Sequence, residues 1–254
     1  MIISHDVTGT GPAVVLLHST VCDRRMWDPQ LPALAAAGHR VVRCDLRGFG
    51  RTPVPDGPYN NAEDVLDLLD HLGVGQAALI ASSGGGRVAL EIAARRPERL
   101  TALALLCTAL AGHQPSSGLS AFGDREDALL EAGDVAGATD LNVAAWLGPE
   151  ADDATREKVR EMQRNAFDVQ LAAVEEFAQI RYDTDLSAVT ARTLLVSGSH
   201  DFADFRQIAA HLSDRLPDAR HLELPWAGHL PNLERPDAVN PILLGFLRET
   251  LTAG

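Results

Sequence analysis

A serine, an aspartate and a histidine in this chain are placed where they could together carry out nucleophilic catalysis. Ser83 lies in the segment Leu-Ile-Ala-Ser-Ser-Gly-Gly-Gly, which starts at residue 79 and passes from a strand-like apolar run into helix formers. A strand that turns directly into a helix needs residues with little side-chain bulk, and Ala81 and the three glycines after Ser83 provide them. The pattern predicts that Ser83 stands at the corner, beside the unpaired N–H groups that open a helix.

Other interpretations of this glycine-rich segment fit less well. Centring the corner on Ser82 would put Ile80 where a small residue is required. A phosphate-binding loop would need Gly-Lys-Ser or Gly-Lys-Thr, and a dinucleotide site would need the spacing G-x-G-x-x-G. Residues 84–86 have neither pattern, although an ordinary glycine-rich turn remains an alternative. Ser83 is therefore the predicted nucleophile.

A serine hydroxyl is a weak nucleophile at neutral pH, so Ser83 needs a base within hydrogen-bond reach and a third group that orients the base. The chain has nine histidines, and His229 is the one that lies in a loop after the last strand-like run and before the last helix. Loops of this kind carry the sites of open α/β sheets. His229 is the predicted base.

The predicted acid is Asp201, which directly follows the strand-like run that ends at residue 197. Asp204 is a local alternative, and either aspartate could instead cap the helix that starts near residue 205. We favour Asp201 as the acid and Asp204 as the cap. The strand-like run after the serine corner ends at Cys107 without a carboxylate, which removes another seat for the acid.

Attack on a carbonyl group creates an oxyanion, which needs two hydrogen-bond donors about 3 Å away. The N–H of Gly84, one residue after the nucleophile, is the first predicted donor. The second should come from the loop His18-Ser19-Thr20, which follows the apolar run over residues 13–18.

The elements that must position these groups alternate along the chain. Strand-like runs at 13–18, 40–45, 102–107, 193–197 and 221–224 are separated by helical sequence, which predicts an α/β fold with a doubly wound, mostly parallel sheet. From about residue 111 to 188 only helical sequence occurs, for example at 126–132, 152–165 and 169–180, and a last helix covers about 237–252. We expect a core domain formed by 1–110 and 189–254 and a helical cap inserted at 111–188.

Composition limits the possible functions. The 254 residues are 46% hydrophobic and 22% charged, as in a globular protein, and the net charge of −13 disfavours binding to nucleic acid or to anionic membranes. No run approaches the roughly 20 apolar residues of a membrane span, and the first residues do not resemble a signal peptide, so we expect a cytoplasmic protein. Three cysteines without a C-x-x-C pair predict neither a disulfide framework nor a zinc site.

Several motifs together carry a family resemblance over nearly the whole chain. They are Val15-Leu16-Leu17-His18, Trp27, Asp45-Leu46-Arg47-Gly48-Phe49-Gly50, the Ser83 corner, Gly198-Ser199-His200-Asp201, and Gly228-His229 followed by Glu234-Arg235-Pro236. The set resembles the α/β-hydrolase superfamily, in the branch of small esterases, enol-lactonases and cofactor-free haloperoxidase-like enzymes, and the order serine, aspartate, histidine is that of this class. The resemblance implies Thr20 as the second oxyanion donor, with no cofactor and no metal. Ser19 and Ala81 stand where the family has glycine.

The expected reaction is hydrolysis of a small ester or lactone through an acyl-enzyme. A lyase of the hydroxynitrile-lyase type on the same scaffold and a ligand-binding module that keeps the triad are the alternatives. Ser19, Trp27 and Trp146 are candidates for the substrate pocket, and a monomer or homodimer is expected. Three arginines could bind a substrate carboxylate, although such residues are more often solvated: Arg24, Arg25 and Arg87.

Overall fold

The computed structural model describes residues 1–173 and 177–251. Its centre is a seven-stranded sheet in the order β1-β3-β2-β4-β5-β6-β7, in which β1 pairs antiparallel with β3 and all other pairs are parallel. The strands are β1 (His5–Thr8), β2 (Ala13–Leu17), β3 (Arg40–Cys44), β4 (Ala77–Ser82), β5 (Leu100–Leu106), β6 (Thr193–Gly198) and β7 (Ala219–Leu224). The predicted mostly parallel sheet is confirmed.

Helices cover both faces of this sheet. They are α1 (Leu31–Ala36), α2 (Asn61–His71), α3 (Gly84–Arg95), α4 (Ser117–Glu131), α5 (Val135–Trp146), α6 (Asp153–Leu171), α7 (Ala203–Arg215), α8 (Pro231–Glu234) and α9 (Pro236–Leu251). Short 3-10 helices occupy Arg24–Trp27, Pro97–Arg99 and Leu186–Ala188. Val14 and Leu16 of β2 pack into one core cluster while Val15 and Leu17 pack into a second. Because both faces of the strand are buried, its sequence is apolar without alternation.

Helices α4, α5 and α6 lie between β5 and β6 in the chain, where the sequence predicts only helices. The predicted helix at 169–180 is wrong at its end, since α6 stops at Leu171 and residues 177–180 are not helical; residues 174–176 lie outside the described part of the chain. Ile180 donates a backbone hydrogen bond of 2.7 Å to Tyr59, and Tyr59 donates one of 3.3 Å to Ala178. This pairing with a distant loop satisfies backbone groups that a helix would otherwise use. The boundaries of the cap at 111 and 188 stay a prediction.

Asp204 does not cap the helix that contains it, so that prediction is wrong. Helix α7 begins after Phe202 without a capping side chain. The buried Asp204 carboxylate instead accepts hydrogen bonds from Ser116 N (2.7 Å), Ser116 Oγ (2.6 Å) and His113 Nε2 (3.0 Å). Burial would raise the pKa of Asp204, but these hydrogen bonds outweigh it and lower the pKa. Since Ser116 is the N-cap of α4, the carboxylate ties the start of the inserted helices to α7.

Within residues 1–173 and 177–251, none of the helices combines the length and the hydropathy that a membrane-spanning segment needs.

Candidate active site

Ser83 forms the corner between β4 and α3, and its backbone is strained. Its φ of 51° and ψ of −119° lie in a region that residues with a Cβ rarely adopt. Hydrogen bonds on both sides hold it there: Ser83 N donates to Leu106 O (3.0 Å), while Ser83 O accepts from Gly86 N (2.9 Å) and Ala109 N (3.0 Å). Because the neighbouring strand and the helix both fix this residue, the side chain is presented at the end of the sheet.

The glycines after Ser83 allow close packing against three different neighbours. A Cβ on Gly84 would lie 2.5 Å from Thr20 Cγ2, and one on Gly86 would lie 2.2 Å from Thr108 Oγ1. A Cβ on Gly85 would meet the backbone carbonyls of β2 and His18 at 2.5 to 2.6 Å. The first turn of α3 is therefore pressed against the loops that follow β2 and β5.

Ser82, the alternative nucleophile, is the last residue of β4 and is completely buried. Its Oγ has no hydrogen-bond partner among the described residues. The structure therefore places Ser83, and not Ser82, at the corner.

His229 and Asp201 form a buried pair at the ends of β6 and β7. His229 Nδ1 lies 2.7 Å from Asp201 Oδ2, and both side chains are at most 1% exposed. Asp201 Oδ1 also accepts a hydrogen bond of 2.7 Å from Phe202 N, which fixes the carboxylate. An Nδ1–H that donates to this carboxylate leaves Nε2 free to accept a proton. Within the described ranges, Ser83 Oγ makes no hydrogen bond, so the serine and the imidazole are not joined directly; such bonds are often long in unliganded enzymes.

Aromatic side chains enclose the imidazole. The ring centroid of Trp146 lies 4.5 Å from that of His229, and the ring centroid of Phe205 lies 4.2 Å from it. His229 N also donates a hydrogen bond of 2.9 Å to Trp146 O at the end of α5. Trp146, a predicted pocket residue, thus contacts the base, and Phe205 has no sequence signal that would have pointed to this role.

Glu234 holds the backbone on both sides of His229. Its buried carboxylate accepts hydrogen bonds from Gly228 N at 3.0 and 3.1 Å and from Leu230 N at 3.2 Å. Burial raises the pKa of Glu234, and the backbone donors and His229 oppose that rise. A Cβ on Gly148 would lie 2.5 Å from Glu234 Oε2, so the loop after α5 also closes over the carboxylate.

With His229 as the predicted base, replacing Glu234 with glutamine is expected to lower kcat about tenfold, because catalysis depends on close placement of the base. The amide keeps one acceptor oxygen, but its NH₂ group faces backbone donors. Steady-state kinetics will measure kcat, and thermal unfolding will show whether the variant is still folded. Glu150→Gln, which removes an exposed acid that pairs with Arg235, is the control. A kcat equal to that of the control would show that Glu234 does not position His229.

The predicted oxyanion donors lie side by side. The Thr20 side chain is so close to Gly84 that a Cβ there would lie 2.5 Å from Thr20 Cγ2, and neither backbone N–H donates a hydrogen bond within the described residues. The loop before Thr20 is held by His18, whose Nδ1 lies 2.8 Å from Ser19 O while Leu46 N donates to its Nε2 at 2.9 Å. Burial lowers the pKa of His18, in keeping with a neutral ring that accepts this bond. Two free N–H groups beside a serine can stabilise an oxyanion.

Cys107, Asp201 and His229 offer three buried ligand atoms within 4.8 Å of one another. The carboxylate and the imidazole are already hydrogen-bonded to each other. Burial and the charge of Asp201 raise the pKa of the Cys107 thiol well above its usual range, and its Sγ lies 3.7 Å from the backbone oxygen of Gly228. The set therefore fits a catalytic pair better than a metal centre.

Two other predicted pocket residues lie in the interior. Ser19 and Trp27 are completely buried, and Trp27 belongs to the core cluster on one face of the sheet. Neither lines the cavity of about 410 Å³ that borders the predicted oxyanion donors Thr20 and Gly84, and Trp146 does not line it either. The predicted triad of Ser83, Asp201 and His229 also lies outside the lining of this cavity. Phe177, from the helical insertion, is part of that cavity wall.

The parallel sheet, the strained serine between β4 and α3, and the histidine–aspartate pair after β6 and β7 define the class of α/β hydrolases. The chain matches the model of the α/β hydrolase fold over residues 12–236 and belongs to this family. The resemblance inferred from the sequence is confirmed.

Individual relatives cover almost the whole chain. It is 29% identical to the provisionally named carbamate hydrolase RutD of Variovorax paradoxus, over 96% of this chain and 94% of the relative. Among solved structures, it is similar to the enol-lactonase from Burkholderia xenovorans, with 27% identity, a TM-score of 0.80 and coverage of 97% and 96%. A hydrolase from Pseudomonas aeruginosa shows 31% identity, a TM-score of 0.78 and coverage of 96% and 93%.

Proposed function

We propose that the protein is a serine hydrolase that cleaves a small carboxylic ester or lactone through an acyl-enzyme. One observation carries the proposal: Ser83 stands on a strained corner beside two backbone N–H groups that lack a partner among the described residues, and the buried His229–Asp201 pair follows β6 and β7 of the same sheet. A nucleophile, a base with its orienting acid and an oxyanion site are the parts that acyl transfer requires.

The mechanism follows from these positions. His229 Nε2 takes the proton of Ser83 as Oγ attacks the carbonyl carbon, and Asp201 stabilises the imidazolium that forms. The N–H groups of Thr20 and Gly84 stabilise the oxyanion of the tetrahedral intermediate. His229 then gives its proton to the leaving oxygen, and the carbon–oxygen bond breaks. Water, activated in the same way, hydrolyses the acyl-enzyme and restores Ser83.

The names of two relatives support acyl chemistry, since a lactone and a carbamate both carry a carbonyl group bonded to a heteroatom. Under this mechanism a lactone is an internal ester, whose leaving oxygen stays attached to the acyl chain. Hydrolysis of an ester or lactone is therefore the activity to test first.

An activity-based phosphonate tests the mechanism. Incubation of the protein with a fluorophosphonate should give one covalent adduct, which intact mass and peptide mapping place on Ser83 and which Ser83→Ala abolishes. His229→Gln should label much more slowly, because the serine then lacks its base. Absence of labelling together with cleavage of a cyanohydrin would favour the lyase alternative. Tight ligand binding without turnover would favour a binding module.

A further inference from the structure

The charged side chains that line the cavity of about 410 Å³ beside the predicted oxyanion donors differ in sign from the net charge of the chain. The chain carries a net charge of −13, yet none of the described residues that line the cavity is acidic. Its charged lining side chains are Arg47, Arg87 and Arg181. The described part of the cavity wall therefore presents positive charge beside Thr20 and Gly84, the predicted oxyanion donors.

Two of these arginines lack a carboxylate partner within residues 1–173 and 177–251. Arg47 pairs with Asp64 through two hydrogen bonds of 2.6 and 2.7 Å. Arg181 donates only to the amide oxygen of Gln179, at 3.0 and 3.1 Å. The half-buried Arg87 guanidinium makes no ion pair with any described residue. By contrast, Arg24 and Arg25, which the sequence also suggested as carboxylate ligands, are each bound to an aspartate.

The same wall holds a buried amide with an unused acceptor. Asn61 is 8% exposed and lines the cavity, and its Oδ1 has no hydrogen-bond partner in the described residues. The oxygen and nitrogen of such an amide are assigned from their partners, so this group can turn its NH₂ toward an acceptor. A buried polar group of this kind costs free energy unless a ligand satisfies it.

The charges of Arg87 and Arg181 oppose each other and also act on the Tyr59 hydroxyl. Burial lowers the pKa of Arg87, and the charge of Arg181 lowers it further. Burial raises the pKa of the Tyr59 hydroxyl, which also lines the cavity, and both arginines oppose that rise. Two like charges that disfavour each other in a partly desolvated site gain stability when an anion binds between them.

We propose that the cavity is the binding site for a carboxylate on the substrate, held by Arg87 and Arg181 with the Asn61 amide. The inference rests on the proposed function, which it narrows to esters or lactones that carry a carboxylate in addition to the reacting carbonyl. Leu46, Phe49 and Phe177 supply an apolar wall for the short carbon chain between the two groups. Because Thr20 and Gly84 border the same cavity, one small molecule can reach both the arginines and the oxyanion donors.

Matched ester pairs test this proposal. Mono-p-nitrophenyl glutarate is compared with p-nitrophenyl valerate, and 3-carboxyphenyl butyrate with phenyl butyrate, so that the carboxylate lies on the acyl side or on the leaving side. We expect kcat/KM to favour the anionic member of one pair by about 10- to 100-fold, the size of a charge-assisted contact to a carboxylate. Arg87→Met and Arg181→Met should each remove most of that preference, and Arg87→Lys should keep part of it.

Arg125→Met is the control. Arg125 is exposed on α4 and does not line the cavity, and the substitution removes the same charge as the other two. It should leave the ratio of anionic to neutral kcat/KM as in the wild type. A wild-type enzyme that hydrolyses both neutral esters but prefers neither anionic partner would overturn the carboxylate site while leaving the serine hydrolase in place. A preference that survives in Arg87→Met/Arg181→Met would overturn it as well. No turnover of any ester and no phosphonate labelling would instead refute the proposed function.

Discussion

Replacing Ser83 with alanine is expected to lower kcat for a p-nitrophenyl ester by about 10⁵- to 10⁶-fold, the loss seen when the nucleophile of a serine triad is removed. The residual rate should stay above that of water, because the free N–H groups of Thr20 and Gly84 still bind the oxyanion. Burst-phase kinetics provide a second measurement. The wild type should show a stoichiometric burst wherever deacylation is slower than acylation, and the variant should show none.

Ser83→Gly gives a matched control for folding. Alanine must keep the strained φ of 51°, whereas glycine adopts positive φ without a steric penalty. We therefore expect the glycine variant to be equally inactive but more stable than the alanine variant, by about 1 kcal/mol in urea unfolding. If Ser83→Ala kept wild-type turnover, the assignment of the nucleophile would be wrong.

Replacing Asp201 with asparagine is expected to lower kcat by about 10⁴-fold, since an amide no longer holds the imidazole in the tautomer that presents Nε2 as base. The buried 2.7 Å contact between His229 Nδ1 and Asp201 Oδ2 is the interaction lost. KM should change little, because neither group binds the rest of the substrate. The measurement is kcat and KM of the wild type and of the variant, taken over a range of pH.

Asp204→Asn is the comparison that separates the two aspartates. Asp204 is as deeply buried as Asp201 but binds Ser116 and His113. Its loss should lower the free energy of unfolding by about 1–3 kcal/mol, while kcat stays within about threefold of the wild type. Because the pKa of Asp204 is lowered in the folded state, its contribution to stability is present above its unfolded pKa and is lost in acid. Equal losses of kcat in both variants would contradict the assignment of Asp201 as the acid.

Much of the fold followed from local sequence patterns. The continuous apolar run of β2 predicts a strand buried on both faces, and the sheet confirms this. The corner at Ser83 could also be predicted from local sequence, because the turn from strand to helix requires small residues at fixed positions. The end of the helix at 169–180 could not be predicted, because backbone pairing between Tyr59 and Ile180 joins segments 121 residues apart.

The side chains that support the candidate site carry a weaker sequence signal than the predicted triad does. Phe205 touches His229 because α7 packs against the loop after β7, whereas Glu234 binds backbone groups only 4 and 6 residues away in the chain. Their residue types carry no signal of that contact, although the segment Glu234-Arg235-Pro236 contributed to the family resemblance. The capping rule is local and predicts that Asp204 caps its own helix, whereas its actual partners lie 88 and 91 residues away in the chain.

The hydrogen bond from His229 N to Trp146 O links the proposed base to the end of α5. The start of the same helical insertion is fixed to α7 through Asp204 and Ser116. A displacement of α5 away from the sheet would therefore move the backbone of His229 and take Trp146 away from its ring, while Phe205 on α7 would stay in contact with it. The position of the His229 backbone is therefore coupled to the position of α5, and a substitution that shifts the end of this helix is expected to disturb the histidine as well.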